Sequence, residues 1–257
     1  MNATPSLVAA TSSIVEIEVA GILFDMDGVL VRSTSGDERC WTRWAEGHQL
    51  VDGFDLRRTH GRRAADTIRE HLPHITDAEL RQHLADLDSF AEEEQFGIEP
   101  YPGARKLLSS IPSHRWTVVT SASEKMMRSR LVSVGISAPR SVVGGDTVTR
   151  GRPDPEGYLR GAALLTRSPH ECLVIEDAPA GIRAGRSAGC QVLAVASSHD
   201  VAELRQADWV LLHSIRSSSR SAILHHSNCV SRRSLPCTER ARKMIAVMHA
   251  PHIVSQA

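Results

Sequence analysis

The sequence lacks the long hydrophobic runs and the paired cysteines that mark membrane proteins and disulfide-rich proteins. No stretch of its 257 residues approaches the roughly 20 apolar residues that a membrane-spanning helix needs. Its five cysteines are odd in number and form no Cys-x-x-Cys pair, which favours free thiols in a reducing compartment. The first twenty residues have no basic stretch and include Glu16 and Glu18, so they make a poor secretory leader. We therefore expect a cytoplasmic protein with no membrane partner.

An excess of basic charge is also missing from most of the chain. Residues 1–212 carry 23 Lys and Arg against 29 Asp and Glu, whereas residues 213–257 carry 7 against 1. A mildly acidic body gives no support for binding to nucleic acid. The basic tail, 213–257, contains no Phe, Trp or Tyr. We expect this tail to be disordered because it cannot bury enough apolar surface to offset the entropy cost of ordering. A short helix is a candidate at 238–250, and 1–15 is expected to be a flexible N-terminus.

What the sequence does contain is an alternation of short apolar runs with helical segments. The apolar runs are nearly continuous in hydrophobicity, as in strands buried on both faces. They cover residues 16–26, 115–122, 140–145, 171–177, 191–197 and 208–212. Helix-like segments lie between them at 124–135, 154–167 and 178–190. This order predicts an α/β fold with a doubly wound, mostly parallel, Rossmann-like sheet.

Residues 33–98 interrupt the alternation. Three amphipathic helical segments occur there without a convincing strand, at 36–50, 61–72 and 76–97. A helical block of this size between the first two strands predicts an inserted α-helical cap domain. The α/β core domain then consists of 16–32 and 99–212, and the chain returns to it through "EPYPGARKLL", with a turn at Gly103.

Charged and polar side chains lie at the carboxyl ends of the predicted strands or in the loops that follow them. They are Asp25, Asp27, Ser121, Arg152, Glu176 and Asp177. Because ligands of open α/β sheets bind at this edge, we expect these side chains to meet in one crevice. Asp25 and Asp27 lie on the same face of a strand, and their repulsion calls for a cation. Carboxylate oxygens suit Mg²⁺, whereas a hydroxyl, backbone N–H groups and a guanidinium suit a phosphate.

Four segments in this order resemble the four motifs of the haloacid dehalogenase superfamily: "DMDGVL", "TSAS", "GRPDPEGYL" and "VIEDAPAGIRAG". The resemblance covers about residues 17–212, and four motifs in the right order are a specific signal. Within the superfamily, "HGRRAADTI" and "EDAPAGIRAGRSAGC" are most similar to small sugar-phosphate and glycerol-phosphate phosphatases. The resemblance implies an enzyme that hydrolyses phosphate monoesters of small sugars or polyols, and a cap that selects the substrate.

The resemblance implies three catalytic residues. Asp25 is the implied nucleophile, which attacks phosphorus to give an aspartyl-phosphate. Asp27 is the implied general acid and later the general base. Arg152 stands where the family normally has a lysine that neutralises the nucleophile and the phosphate. The chain has three lysines against 27 arginines, and an arginine can still bind phosphate through two hydrogen bonds. We therefore expect activity to survive this replacement.

The resemblance also implies the binding residues and the cofactor, Mg²⁺. The implied metal ligands are Asp25, Asp27 through its backbone carbonyl, Asp177 and Glu176, the last bound directly or adjacent to the ligands. The implied phosphate and substrate contacts are Ser121, Ala122, Arg152 and the cap residue Arg63, with Arg62 and His60 as weaker candidates. The expected partner is a small phosphorylated metabolite. A monomer is expected because the cap already closes the site.

Two alternatives stay open. A phosphohexomutase of the same fold, similar to β-phosphoglucomutase, would shield the aspartyl-phosphate from water and return the phosphoryl group to the sugar. A catalytically weak binding or regulatory protein is the second alternative, because Arg152 departs from the family pattern and the tail is unusual. The phosphatase is favoured because the cap segment and the fourth motif are phosphatase-like.

Overall fold

The computed structural model describes residues 13–50, 52–94, 96–212, 223–227, 244–250 and 253–255. Its strands are β1 (Ser13–Val19), β2 (Gly21–Phe24), β3 (Val31–Arg32), β4 (Glu99–Pro100), β5 (Trp116–Val118), β6 (Cys172–Glu176), β7 (Gln191–Ala196), β8 (Trp209–Leu212), β9 (Ile223–Ser227), β10 (Met244–Ala250) and β11 (Ile253–Ser255). Its α-helices are α1 (Thr34–Gly47), α2 (Ala64–His71), α3 (Asp77–Glu93), α4 (Ala104–Ser110), α5 (Glu124–Ser133), α6 (Glu156–Leu164) and α7 (Pro179–Ser187). Short 3₁₀ helices cover Leu56–Arg58, Ser113–Arg115 and Pro169–Glu171.

A six-stranded sheet in the order β11-β8-β7-β6-β2-β5 forms the centre of the core. Strands β5, β2, β6, β7 and β8 run parallel, and β11 is antiparallel to β8 at the edge. The prediction of a doubly wound, mostly parallel α/β sheet is confirmed. The chain leaves β2 toward β5 on one side and later returns to β6 on the other, so the strand order reverses at β2. Open α/β sheets bind ligands at such a reversal.

Continuous apolar sequences form the central strands because helices cover both faces of the sheet. Every residue of β2 and β6 is buried. On one face Phe24 packs edge-on against Trp116, with their ring centroids 6.0 Å apart, and Met127 and Leu131 of α5 complete that layer. On the other face α6 and α7 pack against the same strands. Both layers hold the carboxyl end of β2 in a fixed position.

The predicted strand at 140–145 is reduced to a single bridge between Val119 and Val143. The two glycines that follow make the chain turn instead of continuing along the sheet. A Cβ at Gly145 would lie 2.2 Å from the carbonyl oxygen of Ser121, and the Gly145 N–H donates a hydrogen bond to the Ala122 carbonyl at 2.7 Å. The close approach of these two loops, which only glycine permits, replaces the strand.

The predicted helical insertion is present as α1, α2 and α3, which lie between β3 and β4 in the chain. β3 and β4 pair antiparallel, so the two chain crossings between core and cap lie side by side. The cap has its own apolar centre, in which Trp44, Ile68 and Leu87 are buried. Glu79 and Thr76 form a reciprocal capping box at the start of α3, which stabilises that helix end.

Three segments of the tail differ from the prediction of disorder. β10 pairs antiparallel with both β1 and β9, and β11 pairs with β8. The helix predicted at 238–250 is wrong over 244–250, which is β10. These segments add to open strand edges, whose unpaired N–H and C=O groups are satisfied by another strand. The N-terminal strand β1 also begins at Ser13, inside the segment expected to be flexible. The rest of both predictions lies outside the described residues.

Free thiols were predicted, and three of the five cysteines lie in the described part of the chain. Cys40, Cys172 and Cys190 are all buried free thiols. Burial raises the pKa of Cys172 to about 11 and that of Cys190 to about 12, so these thiols are unreactive near neutral pH.

Among the described helices, none combines the length and the apolar character that crossing a membrane requires.

Candidate active site

Asp25 lies directly after β2, where the sheet order reverses. Its N–H donates a hydrogen bond to the Ile175 carbonyl of β6 at 2.9 Å, so the sheet pairing continues by one residue beyond Phe24. This pairing fixes the Asp25 side chain beside Glu176 and Asp177, which end and follow β6. Only 3% of Asp25 is exposed, and neither Glu176 nor Asp177 is exposed at all. Three carboxyl groups therefore meet in a buried position at one edge of the sheet.

The glycine of "DMDG" makes room for one of these carboxylates. Gly28 has a positive φ of 80°, which residues with a side chain rarely adopt. A Cβ at this position would lie 1.7 Å from Oδ2 of Asp177. The turn therefore brings the backbone against the Asp177 carboxylate as closely as a residue without a side chain allows.

Replacing Gly28 with Ala is expected to destabilise the fold by about 1–3 kcal/mol because it adds strain at positive φ. The added methyl group would also push the Asp177 carboxylate out of place. Thermal unfolding should show a lowered Tm, and titration with Mg²⁺ should show weaker binding. Gly53→Ala is the matched control, since Gly53 also has a positive φ but nothing lies within 4 Å of the position that its Cβ would occupy. If Gly28→Ala binds Mg²⁺ as tightly as Gly53→Ala does, Gly28 is not needed to keep the Asp177 carboxylate in place.

Arg152 connects two of the three carboxylates. Its Nη2 and Nη1 lie 2.9 and 3.1 Å from the two oxygens of Asp25. Nη1 also lies 2.7 Å from Oε1 of Glu176, and Nη2 donates to the Val119 carbonyl at 2.8 Å. The Arg152 side chain is 7% exposed. The planar guanidinium thus forms a bidentate pair with the Asp25 carboxylate, one hydrogen bond from each Nη atom. A lysine ammonium cannot reproduce this geometry.

Both oxygens of Glu176 are already occupied by hydrogen-bond donors. Oε1 accepts a hydrogen bond from the Tyr158 hydroxyl at 2.8 Å and forms an ion pair with Nη1 of Arg152. Oε2 accepts from the backbone N–H groups of Asp177 and Ala178 at 2.8 and 2.9 Å. A Cβ at Gly181 would lie 1.7 Å from Oε1, so the start of α7 also packs against this carboxylate. Because both of its oxygens already accept hydrogen bonds, Glu176 is better placed to hold the metal-binding loop than to bind a metal ion directly.

Asp177 has an oxygen that is available to bind a cation. Its Oδ2 lies 3.1 Å from Nε2 of the cap residue His60, whereas its buried Oδ1 has no hydrogen-bond partner among the described residues. A buried carboxylate oxygen without a partner is costly unless a ligand or an ion completes it. Asp25, Glu176 and Asp177 offer oxygens that all lie within 4.8 Å of one another.

The charge balance of the site also fits a cation. Burial raises the pKa of the Asp25 carboxyl to about 8; Arg152 opposes this rise, while Glu176 and Asp177 add to it. For His60, burial lowers the pKa, but the hydrogen bond and the charge of Asp177 outweigh it and raise the pKa to about 9. When all three carboxyl groups are ionised, their negative charge exceeds the positive charge of Arg152 and His60, and a bound cation would favour that ionised state by opposing the burial that raises the pKa of Asp25. The residues present fit a hard divalent cation, because such cations prefer oxygen ligands.

Asp27 lies beyond the end of β2, where it forms an isolated bridge with Val31, and the buried Arg130 contacts its side chain. Its Oδ1 accepts hydrogen bonds from the Ser33 hydroxyl and from Nη1 of Arg130, the latter at 2.8 Å. Its Oδ2 accepts no side-chain hydrogen bond from the described residues, and the side chain is 18% exposed. Burial raises the pKa of the Asp27 carboxyl, although Arg130 opposes the rise.

The cap lies over these residues and leaves a partly open cavity of about 560 Å³ between itself and the core. Ser121 donates a hydrogen bond from its hydroxyl to the cap carbonyl of Gly61 at 2.9 Å. Arg63 of the cap donates to the core carbonyl of Val148 at 2.6 Å. The cavity is lined by both aspartates, Asp25 and Asp27, by Ser121 and Arg152, and by Arg63 and His60 of the cap. Side chains of the core and of the cap therefore line one shared cavity.

Comparison with known proteins identifies the family. A family model described as haloacid dehalogenase-like hydrolase matches residues 19–189, which is most of the chain. The chain belongs to the haloacid dehalogenase-like hydrolases. The resemblance that four short motifs indicated is confirmed, and so is the fold that it implied.

Relatives of this chain match about three quarters of its length. Hexitol phosphatase A of Escherichia coli (strain K12) is 40% identical over 197 residues, 76% of this chain and 91% of the relative. Glycerol-1-phosphate phosphohydrolase 2 of Saccharomyces cerevisiae is 29% identical over 208 residues, 76% of this chain and 82% of the relative. The solved structure of a hydrolase from Pseudomonas syringae has a TM-score of 0.67 at 23% identity, covering 76% of this chain and 93% of that one. That structural likeness shows the fold.

The structure brings together all six side chains that the sequence placed at the strand ends of this hydrolase. The residues predicted to bind phosphate or substrate make contacts within the protein instead. The Ala122 N–H donates to the Thr120 hydroxyl at 3.2 Å, and Arg63 forms a double hydrogen bond with Asp66, at 2.9 and 2.6 Å, besides reaching Val148. Arg62 pairs with Glu70. Arg63 therefore links the cap to the core through Val148. Its contact with substrate stays a prediction.

Residues that the sequence analysis of the hydrolase missed surround the acidic groups. They are Ser33, Asp37, Arg130 and Tyr158, each hydrogen-bonded to a carboxylate or to a partner of one. Ser33, Asp37 and Arg130 lie outside the four motifs, whereas Tyr158 lies within "GRPDPEGYL". Arg130 and Asp27 are 103 residues apart in the chain, so no local pattern could have linked them.

Proposed function

We propose that the chain is a Mg²⁺-dependent phosphatase that hydrolyses small sugar or polyol phosphate monoesters through an aspartyl-phosphate on Asp25. The observation that carries the proposal is the buried Asp25 carboxylate, held by Arg152 next to the Asp177 oxygen that has no partner among the described residues. Its family and its relatives make the chain a phosphoric monoester hydrolase. The named relatives act on hexitol and glycerol phosphates, which supports the substrate class.

In the first step, Asp25 attacks the phosphorus atom of the bound ester. A bond forms between a carboxylate oxygen and phosphorus, and the bond from phosphorus to the alcohol oxygen breaks. Asp27 gives its proton to the departing alcohol oxygen, so that a neutral alcohol leaves. Arg152 offsets the charge of Asp25 before the step and can bind phosphoryl oxygens as charge develops on them. The Ser121 hydroxyl lines the same cavity and can donate to another phosphoryl oxygen.

In the second step, Asp27 acts as a base. It takes a proton from a water molecule as the water oxygen attacks phosphorus, and the bond between phosphorus and Asp25 breaks. Inorganic phosphate leaves, Asp25 is a carboxylate again and Asp27 is protonated for the next cycle. Two carboxyl groups separated by one residue in the chain thus have two roles, nucleophile and proton carrier.

The metal would be held by Asp25, Asp177 and the backbone carbonyl of Asp27, with Glu176 beside them. Mg²⁺, when bound, supplies positive charge that offsets the carboxylates and polarises the phosphoryl oxygens. Glu176 fixes the loop, because it accepts hydrogen bonds from the backbone N–H groups of Asp177 and Ala178. These hydrogen bonds orient the Asp177 carboxylate toward Asp25.

Removing the metal is expected to lower phosphate release by at least about 100-fold, since the carboxylates would repel the anionic substrate. Purified protein would be assayed with sorbitol 6-phosphate, glycerol 1-phosphate, 2-deoxyglucose 6-phosphate, glucose 1-phosphate and AMP, in EDTA and after MgCl₂ is restored. Release from a sugar or polyol phosphate that returns with Mg²⁺ supports the proposal. Equal release in EDTA would contradict the metal requirement.

The same assay separates the phosphatase from the mutase. Glucose 1-phosphate that yields free phosphate indicates hydrolysis, whereas conversion to glucose 6-phosphate without free phosphate would overturn the proposal in favour of the mutase. No turnover of any compound by a folded, Mg²⁺-binding protein would favour the catalytically weak alternative.

A further inference from the structure

We propose that Arg130, anchored by Asp37, is a positioning residue for the general acid. It holds one oxygen of the Asp27 carboxyl so that the other oxygen is the one that exchanges a proton with the leaving group. The inference rests on the proposed function, in which Asp27 is the acid. It assigns a role to two residues that lie outside the four family motifs.

The hydrogen bonds around Asp27 are one-sided. Oδ1 accepts from both Ser33 and Arg130, so its lone pairs are used by two donors. Oδ2 receives no side-chain donor from the described residues and belongs to a side chain that lines the cavity. Because a carboxyl oxygen that accepts two hydrogen bonds is poorly placed to carry a proton, Oδ2 is the proton-carrying oxygen. Arg130 therefore decides which oxygen faces the substrate.

Asp37 fixes Arg130 in turn. Nη2 of Arg130 donates to Oδ1 of Asp37, and Nη1 lies 3.3 Å from Oδ2 of the same carboxylate. Nη1 is shared, because it also donates to Asp27 at 2.8 Å. Because both Nη atoms bond to Asp37, the guanidinium cannot rotate freely. Its hydrogen bond to Oδ1 of Asp27 therefore has a fixed direction. Asp37 lies in the first turn of α1, so the start of the cap sets the position of a core arginine.

Stability alone is a poor explanation of this arrangement. Arg130 is 2% exposed, and taking a guanidinium out of water costs so much free energy that buried ion pairs often contribute little net stability. Its Nε is buried and has no hydrogen-bond partner among the described residues, which adds a further cost. Apolar side chains in place of both Arg130 and Asp37 would avoid these costs. What an apolar side chain could not do is hold Oδ1 of Asp27.

The test compares two substrates with different leaving groups. Sorbitol 6-phosphate releases an alkoxide that needs a proton, whereas p-nitrophenyl phosphate releases a stable phenolate that does not. Arg130→Met is expected to lower kcat/KM for sorbitol 6-phosphate by about 30-fold or more, within the range that general acids contribute. The same variant should lower kcat/KM for p-nitrophenyl phosphate less than about 3-fold, because that substrate needs no acid. Asp37→Asn should show the same selectivity to a smaller extent.

Controls distinguish positioning from folding and from failure of the proposed function. Arg128→Met removes a partly buried arginine of α5 that pairs with Glu124 and donates to the carbonyls of Pro139 and Arg140, away from Asp27, and it should leave both kcat/KM values unchanged. Arg130→Lys keeps a donor and should recover part of the loss, and Tm is measured for each variant. An equal loss for both substrates at Arg130 and at Asp37 would overturn the inference. Asp27→Asn is the reference variant. If Asp27→Asn lowers kcat/KM equally for both substrates, the acid role of Asp27 is wrong. If Asp27→Asn lowers kcat/KM mainly for sorbitol 6-phosphate but Arg130→Met does not, only the positioning role of Arg130 is refuted.

Discussion

Replacing Asp25 with Asn is expected to abolish phosphate release, by at least about 10³-fold in kcat, the scale seen when a nucleophile is removed. An amide has no carboxylate oxygen with which to attack phosphorus, so no aspartyl-phosphate can form. The amide nitrogen would also face the guanidinium of Arg152, which lies 2.9 Å from one Asp25 oxygen, and two donors cannot bond to each other. The measurement is phosphate release in Mg²⁺ from the best substrate of the panel.

The control for this variant is a carboxylate outside the site. Asp77→Asn removes an exposed side chain of α3 that pairs with Arg69 on the cap surface, and its activity should equal that of the wild type. Near-ultraviolet circular dichroism of Asp25→Asn should show native packing. A folded Asp25→Asn variant that releases phosphate at the wild-type rate would refute the aspartyl-phosphate mechanism.

Replacing Arg152 with Met should have the second-largest effect. Asp25 and Glu176 would be left buried without the cation that both contact, and breaking a buried ion pair in this way costs about 3–5 kcal/mol of unfolding free energy. We expect kcat/KM to fall by at least about 100-fold as well, because the nucleophile and the phosphate would repel each other. Urea unfolding monitored in EDTA gives the stability, and phosphate release in Mg²⁺ gives the activity.

Arg152→Lys tests which property of the arginine matters. A lysine keeps the positive charge, but its side chain is shorter. Its single ammonium group cannot bond to both Asp25 oxygens and to the Val119 carbonyl at once. We expect activity within about tenfold of the wild type and a smaller loss of stability than in Arg152→Met, since the charge accounts for most of the effect. Arg160→Met, which removes a half-exposed arginine of α6, should change neither quantity. Arg152→Met with wild-type stability and activity would show that Arg152 has no such role.

Much of the fold and the positions of the candidate site residues follow from local patterns in the sequence. "GILFDMDG" is a strand because every residue of its apolar run can be buried between two helical layers, and the aspartates end the run because they cannot be buried without partners. The glycine after them is required because the turn presses against Asp177. Runs of this kind predict an α/β core and identify the acidic side chains at its binding edge.

Other predictions failed where local composition was not decisive. The tail segment 244–250 looked helical and became a strand, because an open edge of β1 was available for pairing. The stretch 140–145 was predicted as a strand, but only Val143 forms a bridge, because the two glycines after it let the chain turn and approach Ser121 closely. In both cases a contact distant in the chain outweighed the local preference.

The sequence by itself therefore determined the class of fold, the helical insertion and the strand-end side chains, because each depends on residues that are neighbours in the chain. Only the tertiary structure decided how those side chains are held. Arg130 lies 103 residues from Asp27 and 93 from Asp37, and Arg152 lies 127 from Asp25. Whether a buried charge has a partner depends on how distant segments pack, and among the described residues this packing leaves Oδ1 of Asp177 without a hydrogen-bond donor in the site.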